Sequence, residues 1–206
     1  DISAVTSDDQ VIVVAHELSP GLTVQLDREH VVGLVSEEGT RTAHAAILAH
    51  SLGITSLVDG GVNLGEWQTM EQLKKSGRLK IRIATRIRPR DVNDFAKINA
   101  ALLPETGDVW LRTGPIKVTL DGGSTGALFT RPYAIKPDFH GVQVTSTEVL
   151  KEISELANQN NWRMSVHCNG DKAFDILLDT WEAVNKKKSI VGKRWTVEHG
   201  KNIRPE

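Results

Sequence analysis

Short β-branched runs alternate with longer stretches of helical period along nearly the whole chain, and this rhythm limits the fold more than any other feature. Residues 11–14, 31–35, 55–58, 80–87, 116–120, 163–167 and 194–197 read as seven strands. Between them, residues 45–52, 65–76, 92–102, 147–160 and 172–186 carry apolar side chains at helical spacing. Such alternation closes through right-handed crossovers into parallel strand pairs. The strands are apolar at successive positions, as strands covered on both faces must be. The expected class is α/β, made of mostly parallel βα repeats. Thr145 stands three residues before Glu148, a capping-box pattern that predicts the start of one helix. Residues 121–144 break the rhythm with Gly122, Gly123, Gly126, Pro132 and Pro137, and a loop of that length in a compact domain is functional or disordered.

The charge balance narrows the partners. With 25 Lys and Arg against 26 Asp and Glu, the 206 residues carry a net charge of −1. The dense basic runs, Lys186-Lys187-Lys188 and Arg86-Ile87-Arg88-Pro89-Arg90, read as solvated helix or loop ends, so no nucleic-acid partner is expected. No apolar stretch is long enough to span a bilayer, and Asp1-Ile2-Ser3 does not open a signal peptide, so the expectation is a cytoplasmic chain with no membrane partner. A single cysteine, Cys168, excludes an internal disulfide and a thiolate zinc cluster. It follows His167 in a strand, which turns it to the opposite face as a buried, inert thiol. Packing accounts for Trp67, Trp110, Trp162, Trp181 and Trp195, and His16, His30, His50 and His140 belong to no motif.

Near the start come Val11-Ile12-Val13-Val14-Ala15-His16-Glu17-Leu18-Ser19-Pro20, Thr23-Val24-Gln25-Leu26 and Val32-Gly33-Leu34-Val35, then Glu38-Gly39-Thr40-Arg41-Thr42-Ala43-His44-Ala45-Ala46-Ile47-Leu48-Ala49. This segment resembles the phosphohistidine swivelling domain of phosphoenolpyruvate-utilising enzymes, closest to enzyme I of the bacterial sugar phosphotransferase system. The resemblance implies that His44 accepts a phosphoryl group, with a phosphorylated carrier protein as partner. The local chemistry agrees. A histidine in the first turn of a helix faces unpaired N–H groups and the positive end of the helix dipole, which favour a neutral nucleophile and bind phosphoryl oxygens. Thr42 is placed to cap that helix and donate to the phosphoryl group. Thr40 stands where the family has the second of two glycines, which restricts the turn.

Beyond residue 53 the quoted pattern changes. Gly53-Ile54-Thr55-Ser56-Leu57-Val58-Asp59-Gly60, Trp110-Leu111-Arg112-Thr113-Gly114-Pro115-Ile116-Lys117-Val118 and Leu120-Asp121-Gly122 are followed by Ser165-Val166-His167-Cys168-Asn169-Gly170-Asp171-Lys172-Ala173 and Trp195-Thr196-Val197-Glu198-His199. These resemble the amidohydrolase superfamily, in particular its metal-dependent branch that hydrolyses amides and formamides. The resemblance implies a (β/α)₈ barrel with metal ligands at the C-terminal strand ends. His167 and His199 each end a β-run and are separated by one helix-containing crossover, so their imidazoles converge on one mouth as a metal claw. Lys117 matches the position where many members carry a carboxylated, metal-bridging lysine. The His-x-His pair and the final catalytic aspartate of that family have no counterpart, which leaves the metal site incomplete. Two imidazoles hold zinc only weakly, with Asp121 or a water available to supply more, so no resident cofactor is expected.

The two resemblances meet at Ser51-Leu52-Gly53-Ile54, a step that reads alike in both families. They predict a phosphohistidine-domain fragment over residues 1–53 and an amidohydrolase partial barrel over 54–206, packed as one hybrid, partial (β/α)₈-barrel-like domain. A parallel sheet of seven strands leaves edges, so pairing into a homodimer is one expected way of covering them. The leading expectation is a recombined chain, engineered or selected from shuffled segments, without intact catalysis. A residual metal-dependent amidohydrolase using His167 and His199, or a phosphoryl acceptor at His44, are the competing ones.

Overall fold

The computed structural model describes residues 11–15, 31–36 and 55–202, which form two compact units. The first takes in the described residues up to Arg88 together with Glu105–Gly114. Its strands β1 (Val11–Ala15), β2 (Val31–Ser36), β3 (Ser56–Val62), β4 (Arg82–Ile87) and β5 (Leu111–Arg112) pair in that order, all parallel. Helix α1 (Leu64–Lys75) joins β3 to β4 and buries Trp67 and Met70. Its first turn closes on itself: Glu66 N donates to Asn63 Oδ1 at 3.0 Å, and Asn63 N donates to Glu66 Oε2 at 2.8 Å. These two bonds satisfy amides that a helix start otherwise leaves unpaired.

The second unit comprises Pro89–Pro104 and the described residues from Pro115 onward. Helix α2 (Val92–Ala101) is capped by the side chain of Asp91. Strands β6 (Ile116–Thr119), β7 (Met164–Cys168) and β8 (Thr196–His199) pair in parallel, connected by helices α3 (Thr147–Gln159) and α4 (Asp171–Lys187). Ile116, Val118, Leu150, Met164, Val166 and Leu177 are buried between sheet and helices. Trp162, fully buried, donates its Nε1 proton to Asn99 Oδ1 at 2.9 Å, and Asn99 Nδ2 donates to Asn160 Oδ1 at 3.1 Å. A large indole can be buried here because its one polar atom finds an acceptor.

The mixed α/β class with parallel strands is the one the sequence predicts, and several details differ. The strands include β5, a two-residue element too short to show a period. Thr145 is not the cap of α3. Ser146 holds that position, its Oγ accepting from Val149 N at 3.3 Å, while Thr145 Oγ1 donates to Thr119 O at 2.7 Å and ties the helix entry to the end of β6. The capping box lies instead at Asn63 and Glu66, where an asparagine takes the role that Ser or Thr fills in the usual pattern. Residues 121–144 form an ordered loop: Gly122 N donates to Val142 O at 3.0 Å, Phe129 N to His140 O at 2.7 Å, and Phe129, Tyr133 and Phe139 stack in sequence with centroids 5.3 and 5.2 Å apart. Gly141 makes this closure possible, since its φ is +100° and a Cβ would fall 2.0 Å from Ala127 O. The helix predicted over residues 45–52 lies outside the described residues. Among the described residues, no helix is long and apolar enough to cross a membrane.

Candidate active site at the strand ends of the second unit

The register of β6, β7 and β8 fixes which side chains meet. Lys117 lies beside Ser165 and Thr119 beside His167; Ser165 in turn lies beside Thr196 and His167 beside Glu198. Because side chains alternate along a strand, Lys117, Ser165, His167, Thr196 and Glu198 share one face. That face carries a polar network. The Lys117 ammonium, 2% exposed, forms an ion pair with the Glu198 carboxylate, 9% exposed. Ser165 Oγ donates to Glu198 Oε1 and receives a hydrogen bond from Thr196 Oγ1 at 3.2 Å. A charge this far from water persists only where an opposite charge and hydrogen bonds replace its hydration.

His167 is held by its neighbours at the end of β7. Asn169 Nδ2 lies 3.0 Å from His167 Nε2 and 3.2 Å from Gly122 O. Nε2 also lies 3.3 Å from Gly122 O, so this nitrogen accepts from Asn169 in one tautomer and donates to the Gly122 carbonyl in the other, and in both it is engaged by the protein. Behind it stands Asp121, fully buried, its carboxylate accepting from Asn169 N at 3.0 Å, Gly170 N at 2.8 Å and Leu128 N at 3.0 Å. Asp121 Oδ1 is 3.8 Å from His167 Nε2. One carboxylate thus fixes the turn from β7 into α4 and the start of the long loop at the same point. Gly170 is required in that turn, since a Cβ there would lie 1.9 Å from Leu128 O.

His199 reaches the site by a different route. Strand alternation alone puts it level with Cys168 and on the face opposite His167. Its φ of +76°, in the left-handed region, ends β8 and turns the ring, so that the His167 and His199 rings meet edge to face with centroids 4.6 Å apart. The two rings are therefore in contact through a backbone conformation that no spacing argument anticipates. Cys168 keeps the alternating direction and is buried. Burial, together with the negative charge of Asp121, pushes its thiol up to about 12.

A catalytic zinc site takes three protein ligands and keeps a fourth position for water. The His167 and His199 imidazoles meet edge to face, and the Lys117 amine is engaged by Glu198. Among the described residues, no group of three His, Cys, Asp or Glu side chains is arranged to hold a metal ion. The described residues thus do not complete a metal shell. His44 and Thr42, and with them His16, His30 and His50, lie outside the described residues. His140 sits in the long loop, its Nδ1 3.3 Å from Phe129 O. Glu198, Ser165, Asn169 and the clamp at Asp121 were not singled out from sequence. The alternation Ser165, His167 within a strand, repeated as Thr196, Glu198, is the signal that finds most of them.

The chain matches the model of the amidohydrolase family over residues 28–206, and it belongs to that family. Its fold is similar to an uncharacterized metal-dependent hydrolase from Pyrococcus horikoshii OT3, with a TM-score of 0.60 and 26% identity over 68% of this chain and 29% of the other. A second such hydrolase, from Pyrococcus furiosus, gives a TM-score of 0.57 and 27% identity over 69% of this chain and 30% of that one. These likenesses agree with a parallel half-barrel sheet. Among curated proteins, the chain is 33% identical over 98 residues to Protein LONG AFTER FAR-RED 3 of Arabidopsis thaliana, covering 47% of this chain and 17% of that protein. It is also 51% identical over 51 residues to the phosphoenolpyruvate-protein phosphotransferase of Enterococcus faecalis, covering 25% of this chain and 9% of that protein. The phosphohistidine-domain-like segment at the start of the chain is thereby supported alongside the amidohydrolase-like remainder. The chain spans less than a third of the length of each of these relatives.

Proposed function

We propose that this is a recombined chain, engineered or selected from shuffled segments, in which a phosphohistidine-domain segment over residues 1–53 adjoins an amidohydrolase partial barrel over residues 54–206. A polypeptide of these 206 residues does not hydrolyse amides. The observation that carries this reading is the state of the strand-end site: Lys117 is committed to Glu198, and His167 and His199 stand as a two-imidazole pair. The 206 residues contain no His-x-His step. Metal ligands and a general base each contribute on the order of several kcal/mol to transition-state stabilisation, so a two-imidazole pair with its neighbouring lysine engaged supports a site without turnover. In this reading His167, His199 and Lys117 are the inherited metal-site residues, zinc binds weakly at most, and a homodimer covers the sheet edges. The charge balance supports the absence of a nucleic-acid partner, the single cysteine supports a cytoplasmic, reducing setting, and the shortness of the apolar runs supports the absence of a membrane partner. The test is hydrolysis of N-formyl and N-acyl amides with zinc supplied, beside a His167→Ala, His199→Ala variant. Equal background rates are expected. Turnover by the parent chain that vanishes in the double variant restores the residual-hydrolase reading.

The similarity to phosphoenolpyruvate-protein phosphotransferases favours a second reading, phosphoryl acceptance at His44 assisted by Thr42. Phosphoryl transfer depends on positioning of the donor and on neutralising its charge. The expected outcome is no labelling of His44 from phosphoenolpyruvate and magnesium alone, with acceptance only from a phosphorylated carrier protein. Intact-mass analysis under alkaline conditions checks this, with His44→Ala as the control.

A further inference from the structure

The first unit holds a cavity of about 300 Å³ on the exposed face of its sheet, lined by none of the strand-end site residues. Val58 of β3, Ala84 of β4 and Arg112 of β5 lie side by side in the register, and Arg82 opens β4 two residues before Ala84. Alternation gives these four one face, while Leu57 and Ile83 turn to the other and are buried. The small side chain of Ala84 therefore leaves a hollow with a guanidinium on each of two sides, Arg82 and Arg112, and an apolar floor and rim from Val58 and Val109. Neither guanidinium is paired with a carboxylate among the described residues. Among the described residues the Arg112 guanidinium donates from Nη2 to Glu105 O at 3.4 Å, at the long limit of a hydrogen bond. The acid on the cavity wall, Asp108, is already satisfied: Lys74 Nζ stands 2.7 Å away, and the Trp110 and Leu111 amides donate to it at 2.9 and 3.2 Å.

Two planar cations beside an apolar hollow match a ligand with one carboxylate and a compact apolar body, because a guanidinium offers its N–H pairs to both oxygens of a carboxylate. A cavity of this size lies at the small end of the range for small-molecule sites. We infer that this face of the first unit is a binding site for a small apolar carboxylate, bridged between Arg82 and Arg112 with its body over Ala84 and Val58.

Benzoate is a suitable probe on the full 206-residue chain, followed by saturation-transfer NMR and by titration for affinity. Binding is expected, with affinity lowered about tenfold or more in an Arg82→Gln, Arg112→Gln variant, the loss typical of removing charge-assisted hydrogen bonds. Both arginines are exposed, so the variant is expected to unfold at the same temperature as the parent. Arg131→Gln, an exposed arginine outside the cavity, is expected to bind as the parent does. Benzamide, of the same shape without the charge, is expected to bind about tenfold more weakly or worse. No benzoate binding, equal binding by the double variant, or benzamide as tight as benzoate would overturn the inference. Sulfate displacing benzoate with equal affinity would also overturn it, since the apolar floor would then contribute nothing.

Discussion

On the face of the β6–β7–β8 sheet, Lys117 and Glu198 are nearly inaccessible and are joined in an ion pair backed by Ser165 and Thr196. On the exposed face of β3, β4 and β5, Arg82 and Arg112 stand in water with no carboxylate partner among the described residues. Both faces follow the same strand alternation and carry cations, and they differ in access to solvent. Burial forces a charge to find its partner inside the protein, and the partner then occupies the group that chemistry would need. Exposure leaves the charge hydrated and free to meet a ligand. For this chain the consequence is that Lys117 and Glu198 are paired with each other, whereas Arg82 and Arg112 line a cavity without a carboxylate partner among the described residues.

The largest effect is expected where that contrast is broken from the buried side. Lys117→Met leaves the Glu198 carboxylate buried without its cation, and about 3–5 kcal/mol of stability should be lost. Adding Glu198→Gln removes the orphaned charge while keeping an acceptor for Ser165, so the double variant should recover most of the loss. Urea unfolding of the two single and one double variant checks this. Single and double losses that simply add would mean that the two groups are not coupled.

The sequence made the second unit's site legible to a different depth for each residue. His167 could be read because it ends an apolar run, where a side chain at a C-terminal strand end faces the mouth. The contact of the His199 ring with His167 runs against strand alternation from Cys168 and depends on the positive φ of His199. A single left-handed residue outside glycine leaves no mark in composition or period. Glu198 was visible only as the neighbour of His199, because its role depends on lying level with His167 and near Lys117 across three strands. The parallel α/β class was legible because period and run length are local properties. The clamp made by Asp121, which joins residues as far apart as Leu128 and Gly170, is a product of tertiary folding.

A smaller, pH-dependent effect belongs to Asp108, on the wall of the cavity beside Arg82 and Arg112. Asp108 is held down to about 2, first by its hydrogen bond from Lys74 and then by the amides of Trp110 and Leu111. Its folded value lies below its unfolded value, so its contribution is present above the ordinary carboxylate range and fades as pH falls toward about 2. Because the group is exposed, the stability at stake is small. Lys74→Met should move the Asp108 carboxyl back toward the ordinary range in an NMR titration. An unchanged midpoint would assign the depression to the two backbone amides instead.

Whether the strand-end site holds a metal is decided by the zinc content of the chain after extensive dialysis against zinc-free buffer. With Lys117 engaged by Glu198 and the His167 and His199 rings in contact, zinc should be retained well below one ion per chain, and His167→Ala, His199→Ala should remove what little remains. One tightly held ion per chain, lost in that double variant, would contradict this and mean that another group completes the shell.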